Sequence, residues 1–172
     1  KIVEMHPEHI SCYGLKLEPG TRMYKEYYGS SILPDDDAQA DMYSYAAEML
    51  ERYGYKQYEI SNFAAPGYES RHNLKYWNMD DYMSFGPGAH SCIGNVRYSF
   101  VKDLKQYIYG VHKKISIVDE YEQIDPLERA VEYVMLGMRT SRGISEHDYR
   151  LRCQCDWKPI LKVLQAFKEK GW

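Results

Sequence analysis

The sequence predicts an α/β fold in which a strand–helix–strand unit precedes a mostly helical C-terminal part. Two observations support this prediction. Apolar residues at helical spacing separate two short strand-like segments in the first part of the chain, and helical periodicity dominates from about residue 119 onward. Because a connection that contains a helix is long enough for a crossover, we expect the two strands to pair in parallel through a right-handed connection.

Each element of the strand–helix–strand unit has its own signal. Residues 10–17 suit a buried strand, and the aromatic residues 23–29 suit one or two helical turns. The aspartates within residues 34–37 favour a helix start, because negative charge is stabilised there, and Gly54 suits a left-handed stop. The second strand is predicted over residues 58–63.

The middle of the chain gives mixed signals. Residues 71–78 fit neither a clean helix nor a clean strand, whereas residues 82–85 are predicted to form a short strand. A Gly-Asn turn precedes a further short strand over residues 97–99. Residues 101–112 predict an amphipathic helix.

The last third of the chain predicts helices that follow a polar linker over residues 119–123. Asp125 and Glu128 form the pattern of a capping box, which marks the start of the first of these helices. Ser145 is expected to begin a short helix, and Asp156 is expected to cap the last one.

Composition excludes several classes of protein. With a net charge of −3 over 172 residues, no basic face for phosphate contacts is evident, so we do not expect nucleic acid as a partner. No apolar run reaches the length of a membrane span. Four cysteines without a disulfide framework predict a cytoplasmic protein with free thiols. Lys1 in place of a methionine, and Trp172 directly after a helical pattern, lead us to expect a piece of a longer protein.

The densest group of chemically useful side chains is His72, Asn73, Tyr76 and Trp77. A neutral imidazole is a good ligand for iron or zinc, and flat aromatic side chains beside it can stack on a planar ligand. This group follows the second predicted strand, and ligands of parallel α/β sheets lie beyond the carboxyl ends of strands. The alternative is structural: the two polar side chains satisfy loop backbone groups and the two aromatic ones cap the core.

A second candidate segment is the Gly-Pro-Gly turn that contains Gly86 and Gly88 and is followed by His90. Glycine lets the backbone approach a ligand closely, and its N–H groups can face polar ligand atoms while the His90 ring contacts the ligand. The alternative is an ordinary glycine turn with His90 bonded to the backbone at a strand end. The spacing excludes a dinucleotide-binding fingerprint and a P-loop.

Five sequence segments, taken in order, indicate a protein family more specifically than the overall composition does. They are His-Ile-Ser-Cys-Tyr-Gly-Leu, Pro-Gly-Thr, Tyr-Glu-Ile-Ser-Asn-Phe-Ala, Ser-Arg-His-Asn-Leu-Lys-Tyr-Trp and Phe-Gly-Pro-Gly-Ala-His-Ser. Together they resemble the oxygen-independent coproporphyrinogen III oxidase family, closest to its branch of HemW-like haem chaperones, over nearly the whole chain and most weakly from Ser141 on. The resemblance implies the C-terminal part of a partial (β/α) radical-SAM barrel over residues 1–118, followed by a mostly helical domain over residues 119–172.

The resemblance also implies cofactors. Members of that family are radical S-adenosylmethionine proteins in which a Cys-x3-Cys-x2-Cys loop binds a [4Fe–4S] cluster. This sequence has no such loop, so we expect the cluster and S-adenosylmethionine only in a longer protein, and no radical chemistry from this chain alone. The resemblance places S-adenosylmethionine near Lys16 and near Gly86, Gly88 and His90, although the side chains of Lys16 and His90 differ from those of the oxidase.

The function that the resemblance implies is haem binding and delivery. In the chaperone branch a His-Asn-x-x-Tyr-Trp motif is linked with haem, which makes His72 the candidate axial ligand of the iron and Asn73, Tyr76 and Trp77 its neighbours. The expected partners are haem or a porphyrinogen and a haem-recipient protein, and open strand edges favour a dimer.

Two alternatives stand beside this hypothesis. One is a coproporphyrinogen III oxidase that decarboxylates two propionates, for which arginines such as Arg22, Arg71 and Arg97 would bind the carboxylates. The other is a non-catalytic interaction module whose helical end is a docking surface.

Overall fold

The computed structural model describes residues 1–171, which form two compact units, Lys1–Ser70 and the chain from Arg71 onward. These residues contain seven α-helices and two three-stranded sheets, so the predicted α/β fold class is confirmed. The division predicted after residue 118, between a barrel part and a helical domain, stays a prediction. Among the described residues, no helix is both long and apolar enough to cross a membrane.

The first unit contains a three-stranded sheet and two α-helices. Its elements after a 3-10 turn at Val3–Met5 are β1 (His9–Ser11), α1 (Arg22–Tyr27), α2 (Asp36–Arg52), β2 (Lys56–Glu59) and β3 (Asn62–Ala64). Both helices begin at residues that cap them: Thr21 Oγ1 accepts from Tyr24 N, and Asp35 Oδ1 accepts from Ala38 N. The helix predicted after residues 34–37 is therefore confirmed, and Gly54 adopts a φ of 87° just after it.

The sheet of the first unit corrects the predicted strand pairing. The single strand predicted over residues 58–63 is two strands, because the chain turns at Ile60-Ser61 and β3 folds back beside β2. β3 lies between β1 and β2 and pairs antiparallel with both, so the predicted parallel pair is wrong. The Glu59 carboxylate accepts from the backbone N of Ser61 and from the side chain of Asn62, which stabilises the turn locally.

The core of the first unit lies between α2 and the sheet. Leu50, Tyr55 and Phe63 are its buried residues, and Ile10 and Cys12 pack against them. Because the Tyr55 hydroxyl donates to the carbonyl of Pro7 at 2.6 Å, the buried ring keeps a polar partner.

The second unit combines a three-stranded sheet with five α-helices within the described residues. Its elements are α3 (Arg71–Trp77), β4 (His90–Ile93), β5 (Val96–Phe100), α4 (Leu104–Lys113), β6 (Val118–Gln123), α5 (Pro126–Gly137), α6 (Glu146–Cys153) and α7 (Lys158–Glu169). The sheet order is β4-β5-β6, and both pairs are antiparallel.

Three sequence predictions for this unit are wrong. Residues 71–77, for which no regular structure was predicted, form α3. The strand predicted over residues 82–85 is only an isolated bridge between Tyr82 and Cys92. The polar linker predicted over residues 119–123 lies within β6, which is exposed along its whole length, so it lacks the apolar alternation by which strands are recognised.

Two of the three helix starts predicted for the last third are confirmed, and the cap predicted for the last helix is not. Asp125 and Glu128 form the capping box of α5, and Ser145 caps α6. Asp156 accepts from Lys158 N at 3.1 Å, although the residue at the N-cap of α7 is Trp157. These helices enclose a core of six buried residues: Met79, Ala130, Tyr133, Tyr149, Cys153 and Trp157.

Candidate functional site

Helix α3 places His72 and Tyr76 one turn apart on the same face. The Tyr76 hydroxyl lies 3.0 Å from Nε2 of His72. The two rings meet edge to face, with centroids 5.1 Å apart and an interplanar angle of 87°. Both side chains are exposed, so the imidazole is accessible to a ligand and is oriented by its neighbour on the helix.

Tyr82 extends this contact beyond the helix. Its ring lies edge to face against Tyr76, with centroids 4.7 Å apart and an interplanar angle of 70°. The backbone of Tyr82 is fixed by two hydrogen bonds with Cys92 in β4, of 2.9 and 3.0 Å. A row of three rings, His72, Tyr76 and Tyr82, therefore runs from the exposed helix to the sheet; we call it the aromatic row.

Arg97 of β5 lies beside the inner end of the aromatic row. Its guanidinium donates to Glu122 at 2.9 Å and to Glu132 at 2.6 Å, and it is near enough to Tyr82 to lower the pKa of that hydroxyl. The hydrogen bond to Glu132 is the main cause that raises the pKa of Arg97, so this cation stays charged at any working pH. Burial raises the pKa of the Tyr82 hydroxyl, and Arg97 opposes that shift.

The other two residues of the predicted motif are half-buried in α3. Asn73 lies between His72 and Leu74 on the helix, and Trp77 is its last residue. The helix thus brings the four motif residues together within two turns, and His72 and Tyr76 are in direct contact.

Tyr82 was not predicted to be part of this site, and Arg97 was predicted only as a carboxylate-binding residue of the alternative oxidase function. Both residues come from other elements than α3, so no spacing in the sequence relates them to His72. The available signal was weak: Tyr82 lies within a short aromatic segment, five residues after Trp77.

The backbone N–H groups of the Gly-Pro-Gly turn have hydrogen-bond partners within the chain. Gly86 and Gly88 have φ values of 107° and 70°, which residues with a Cβ rarely adopt. Their N–H groups donate to the Tyr107 hydroxyl at 3.2 Å and to the carbonyl of Val101 at 3.1 Å. The N–H groups expected to face a ligand therefore have acceptors within the chain. His90 begins β4 and is exposed.

Lys16 belongs to the first unit. It is exposed, forms an ion pair of 3.0 Å with Glu18, and lines an open cleft of about 900 Å³. Tyr27 and Asp35 line the same cleft. The predicted proximity of Lys16, Gly86, Gly88 and His90 to S-adenosylmethionine stays a prediction.

The donor atoms of the chain do not fit an iron–sulfur cluster. Residues 1–171 contain no group of three or more His, Cys, Asp or Glu side chains arranged to hold a metal ion. Cys92 and Cys153 are buried, and the sequence has no loop with three cysteines. Haem iron needs fewer protein ligands than a cluster, because a single imidazole can be its axial ligand. The exposed side chain of His72 can supply that imidazole.

Known proteins resemble this chain in sequence and in fold. The heme chaperone HemW of Bacillus subtilis is 37% identical over 171 residues, which are 98% of this chain and 45% of that protein. HemW of Synechocystis is 34% identical over 169 residues, 96% of this chain and 41% of that protein. A zebrafish (Danio rerio) mitochondrial radical S-adenosyl methionine domain-containing protein 1 is 31% identical over 176 residues, 93% of this chain and 37% of that protein. No protein-family model matches.

The fold has a solved counterpart. Coproporphyrinogen III oxidase (HemN) of Escherichia coli, described as a radical SAM enzyme, superposes with a TM-score of 0.74 at 16% identity, over 99% of this chain and 43% of that one. The fold is thus that of part of a radical SAM protein. The chain belongs to the HemN/HemW-like radical SAM family, as its resemblance in sequence implied. It spans less than half of the length of the curated relatives it matches.

Proposed function

We propose that this chain is the haem-contacting part of a haem chaperone, which binds haem and delivers it to a recipient protein. The observation that carries the proposal is the exposed His72 imidazole, held one helical turn from Tyr76, in a chain whose relatives are named heme chaperones. His72 is the axial ligand in this proposal, and Asn73, Tyr76 and Trp77 contact the haem.

The side chains of α3 suit a planar ligand with a metal centre. An imidazole nitrogen supplies the ligand bond, while the aromatic faces of Tyr76 and Trp77 supply apolar contact area to a porphyrin. Tyr76 is exposed and Trp77 is half-buried, so both side chains have accessible surface that a ligand can contact. An exposed ligand site also suits delivery, because a recipient can reach the haem without unfolding the donor.

The cluster and S-adenosylmethionine belong to the longer protein in this proposal. When bound there, the cluster supplies the reductive chemistry of the family. In this chain Lys16, Gly86, Gly88 and His90 would lie near the S-adenosylmethionine, and no step of haem binding depends on it. We place the protein in the cytoplasm, where thiols such as those of Cys92 and Cys153 stay reduced.

The second candidate function is that of the oxidase, which the fold of the HemN structure favours. Decarboxylation of two propionates needs arginines that are available to bind carboxylates. Arg22 is paired with Glu26, and Arg97 is paired with Glu122 and Glu132, so two of the three arginines named for this role already have carboxylate partners. The haem-linked motif, which the oxidases lack, also favours the chaperone hypothesis.

Hemin titration of the 172-residue chain tests the proposal. The wild-type chain is expected to give a Soret band, and His72→Ala is expected to weaken hemin binding at least about ten-fold and to shift the band. His112→Ala, which removes another exposed imidazole on α4, is the matched control and should bind as the wild type does.

Two outcomes would contradict the proposal. Equal hemin affinity and spectrum in His72→Ala and wild type would remove the ligand assignment. A folded wild-type chain without a saturable Soret band would remove haem binding, and the interaction module would then be the better description.

A further inference from the structure

The Nε2 atom of His72 is occupied in this structure. A neutral imidazole carries its proton either on Nδ1 or on Nε2. With the proton on Nδ1, the Tyr76 hydroxyl donates to the lone pair of Nε2; with the proton on Nε2, that nitrogen donates to the hydroxyl oxygen at the same 3.0 Å. In both tautomers Nε2 has no lone pair available for a metal ion while the contact lasts.

Tyr76 is held in this place by the rest of the aromatic row. Tyr76 is 38% exposed, so few neighbours restrict its ring. One flank of the ring lies against the edge of Tyr82, whose centroid is 4.7 Å away. A side chain on the surface of a seven-residue helix would otherwise sample several rotamers, because such side chains reorient within nanoseconds.

The position of Tyr82 is itself fixed by contacts with the sheet of the second unit. The backbone N–H and carbonyl of Tyr82 both form hydrogen bonds with Cys92 of β4, and the Arg97 guanidinium lies beside its side chain. The Arg97 guanidinium is fixed by two carboxylates, Glu122 from β6 and Glu132 from α5. Tyr82 is therefore held by β4 and flanked by the Arg97 side chain of β5 that β6 and α5 fix, and these contacts restrict where the Tyr82 and Tyr76 rings lie.

We propose that the Tyr76 hydroxyl gates the Nε2 atom of His72 and that Tyr82 is a positioning residue which keeps this gate closed. A metal centre binds Nε2 only after the Tyr76 hydroxyl moves away, and return of the hydroxyl helps to displace the metal. The role in haem release rests on the proposed function, whereas the closed contact itself does not depend on haem.

Acylation of His72 by diethyl pyrocarbonate tests the gate without haem, because the reagent attacks unprotonated imidazole nitrogens, chiefly Nε2. The 172-residue chain and its variants are labelled at neutral pH, and peptide mass spectrometry gives the rate at His72. Tyr76→Phe keeps the ring and removes the hydroxyl, so it should raise the labelling rate on the order of five-fold, the ratio that one ordinary hydrogen bond is worth. Tyr121→Phe, which removes an exposed hydroxyl from β6, should leave the rate unchanged.

Two substitutions of Tyr82 separate positioning from general stability. Tyr82→Phe keeps the ring that contacts Tyr76, so His72 should be labelled close to the wild-type rate. Tyr82→Leu removes that ring and should label nearly as fast as Tyr76→Phe. The rate at the exposed His112 corrects for the activity of the reagent, and the urea midpoint of each variant shows whether the substitution has destabilised the chain. Wild-type rates in Tyr76→Phe would overturn the gate, and wild-type rates in Tyr82→Leu would overturn the role of Tyr82.

Hemin titration of the same variants links the gate to the proposed function. Tyr76→Phe should bind hemin more tightly by a similar factor, because no hydroxyl competes for Nε2. If labelling responds as expected but no variant binds hemin, the gate stands and the proposed function fails. If hemin binding depends on His72 but neither labelling nor affinity responds to Tyr76→Phe, the proposed function stands and the gate fails.

Discussion

Burial of the Cys153 thiol makes the stability of the second unit depend on pH. Cys153 is 2% exposed, and its Sγ lies 3.6 Å from the carbonyl of Arg129. Tyr149 and Trp157 belong to the same buried cluster. Burial raises the pKa of the Cys153 thiol above its ordinary value, and nearby Cys155 adds to the shift while Arg129 opposes it. The folded chain therefore favours the neutral thiol.

The sign of this shift predicts a loss of stability at alkaline pH. The folded chain keeps the Cys153 proton at pH values where the unfolded chain loses it, so the free energy of unfolding falls as pH rises from the unfolded pKa through the raised folded one. We expect the urea midpoint of the wild type to fall more than that of Cys153→Ala as the pH rises above the ordinary pKa of a thiol, about 8.5. Equal falls in both chains would show that the thiol contributes nothing to the pH dependence.

Residues that share one helix could be predicted as a site from the sequence, and residues on different elements could not. His72 and Tyr76 are four positions apart, which is one turn, so their contact follows once α3 forms. The fold of β4 and β5 brings Tyr82 against Tyr76 and places Arg97 beside Tyr82. Their contribution depends on tertiary packing, which leaves no periodic signal in the sequence.

At the scale of elements, the close approach of Ile117 to helix α4 explains why a glycine lies inside that helix. Gly110 lies in α4 and is buried, and a Cβ built there would overlap the Cγ2 atom of Ile117. Ile117 lies just before β6, so this contact lets the chain that leaves α4 pack back onto the helix. The cost of glycine to the helix, about 1 kcal/mol, is outweighed by that packing.

Gly110→Ala is therefore expected to destabilise the chain by about 1–3 kcal/mol, although alanine is the better helix former. Chemical denaturation measures the change. Gly14→Ala is the control, because the nearest atom to its Cβ, Oε1 of Gln39, is 4.0 Å away. Removing the opposing atoms in Gly110→Ala/Ile117→Ala should cost less than the sum of the single changes, and strict additivity would refute the overlap.

Helices were easier to predict than strands because their signals are local. The caps at Asp35, Asp125 and Ser145 are each formed within a few residues, and all three helices begin there. Strand partners are set at long range. β3 was missed because a turn stabilised by Glu59 divides the predicted strand, and β6 because an exposed edge strand can be polar throughout.

At the scale of the whole molecule, the chain consists of two compact units. Together they span less than half of the length of its relative in Bacillus subtilis. The α/β class could be predicted from the spacing of apolar residues, and the family could be predicted from five segments that are unusual in composition and order. Within the described residues, β1 and β2 each pair on one side only, with β3. Open edges of this kind favour pairing with another chain. A dimer of this protein therefore stays a proposal.

The most direct test of haem ligation by His72 is pulsed EPR of the ferric haem complex, prepared from a chain labelled with ¹⁵N only at its six histidines. We predict a hyperfine coupling from an imidazole ¹⁵N bound to the iron in the wild type and in His112→Ala, and its loss in His72→Ala. A coupling that survives in His72→Ala and disappears when another histidine is replaced would contradict the account.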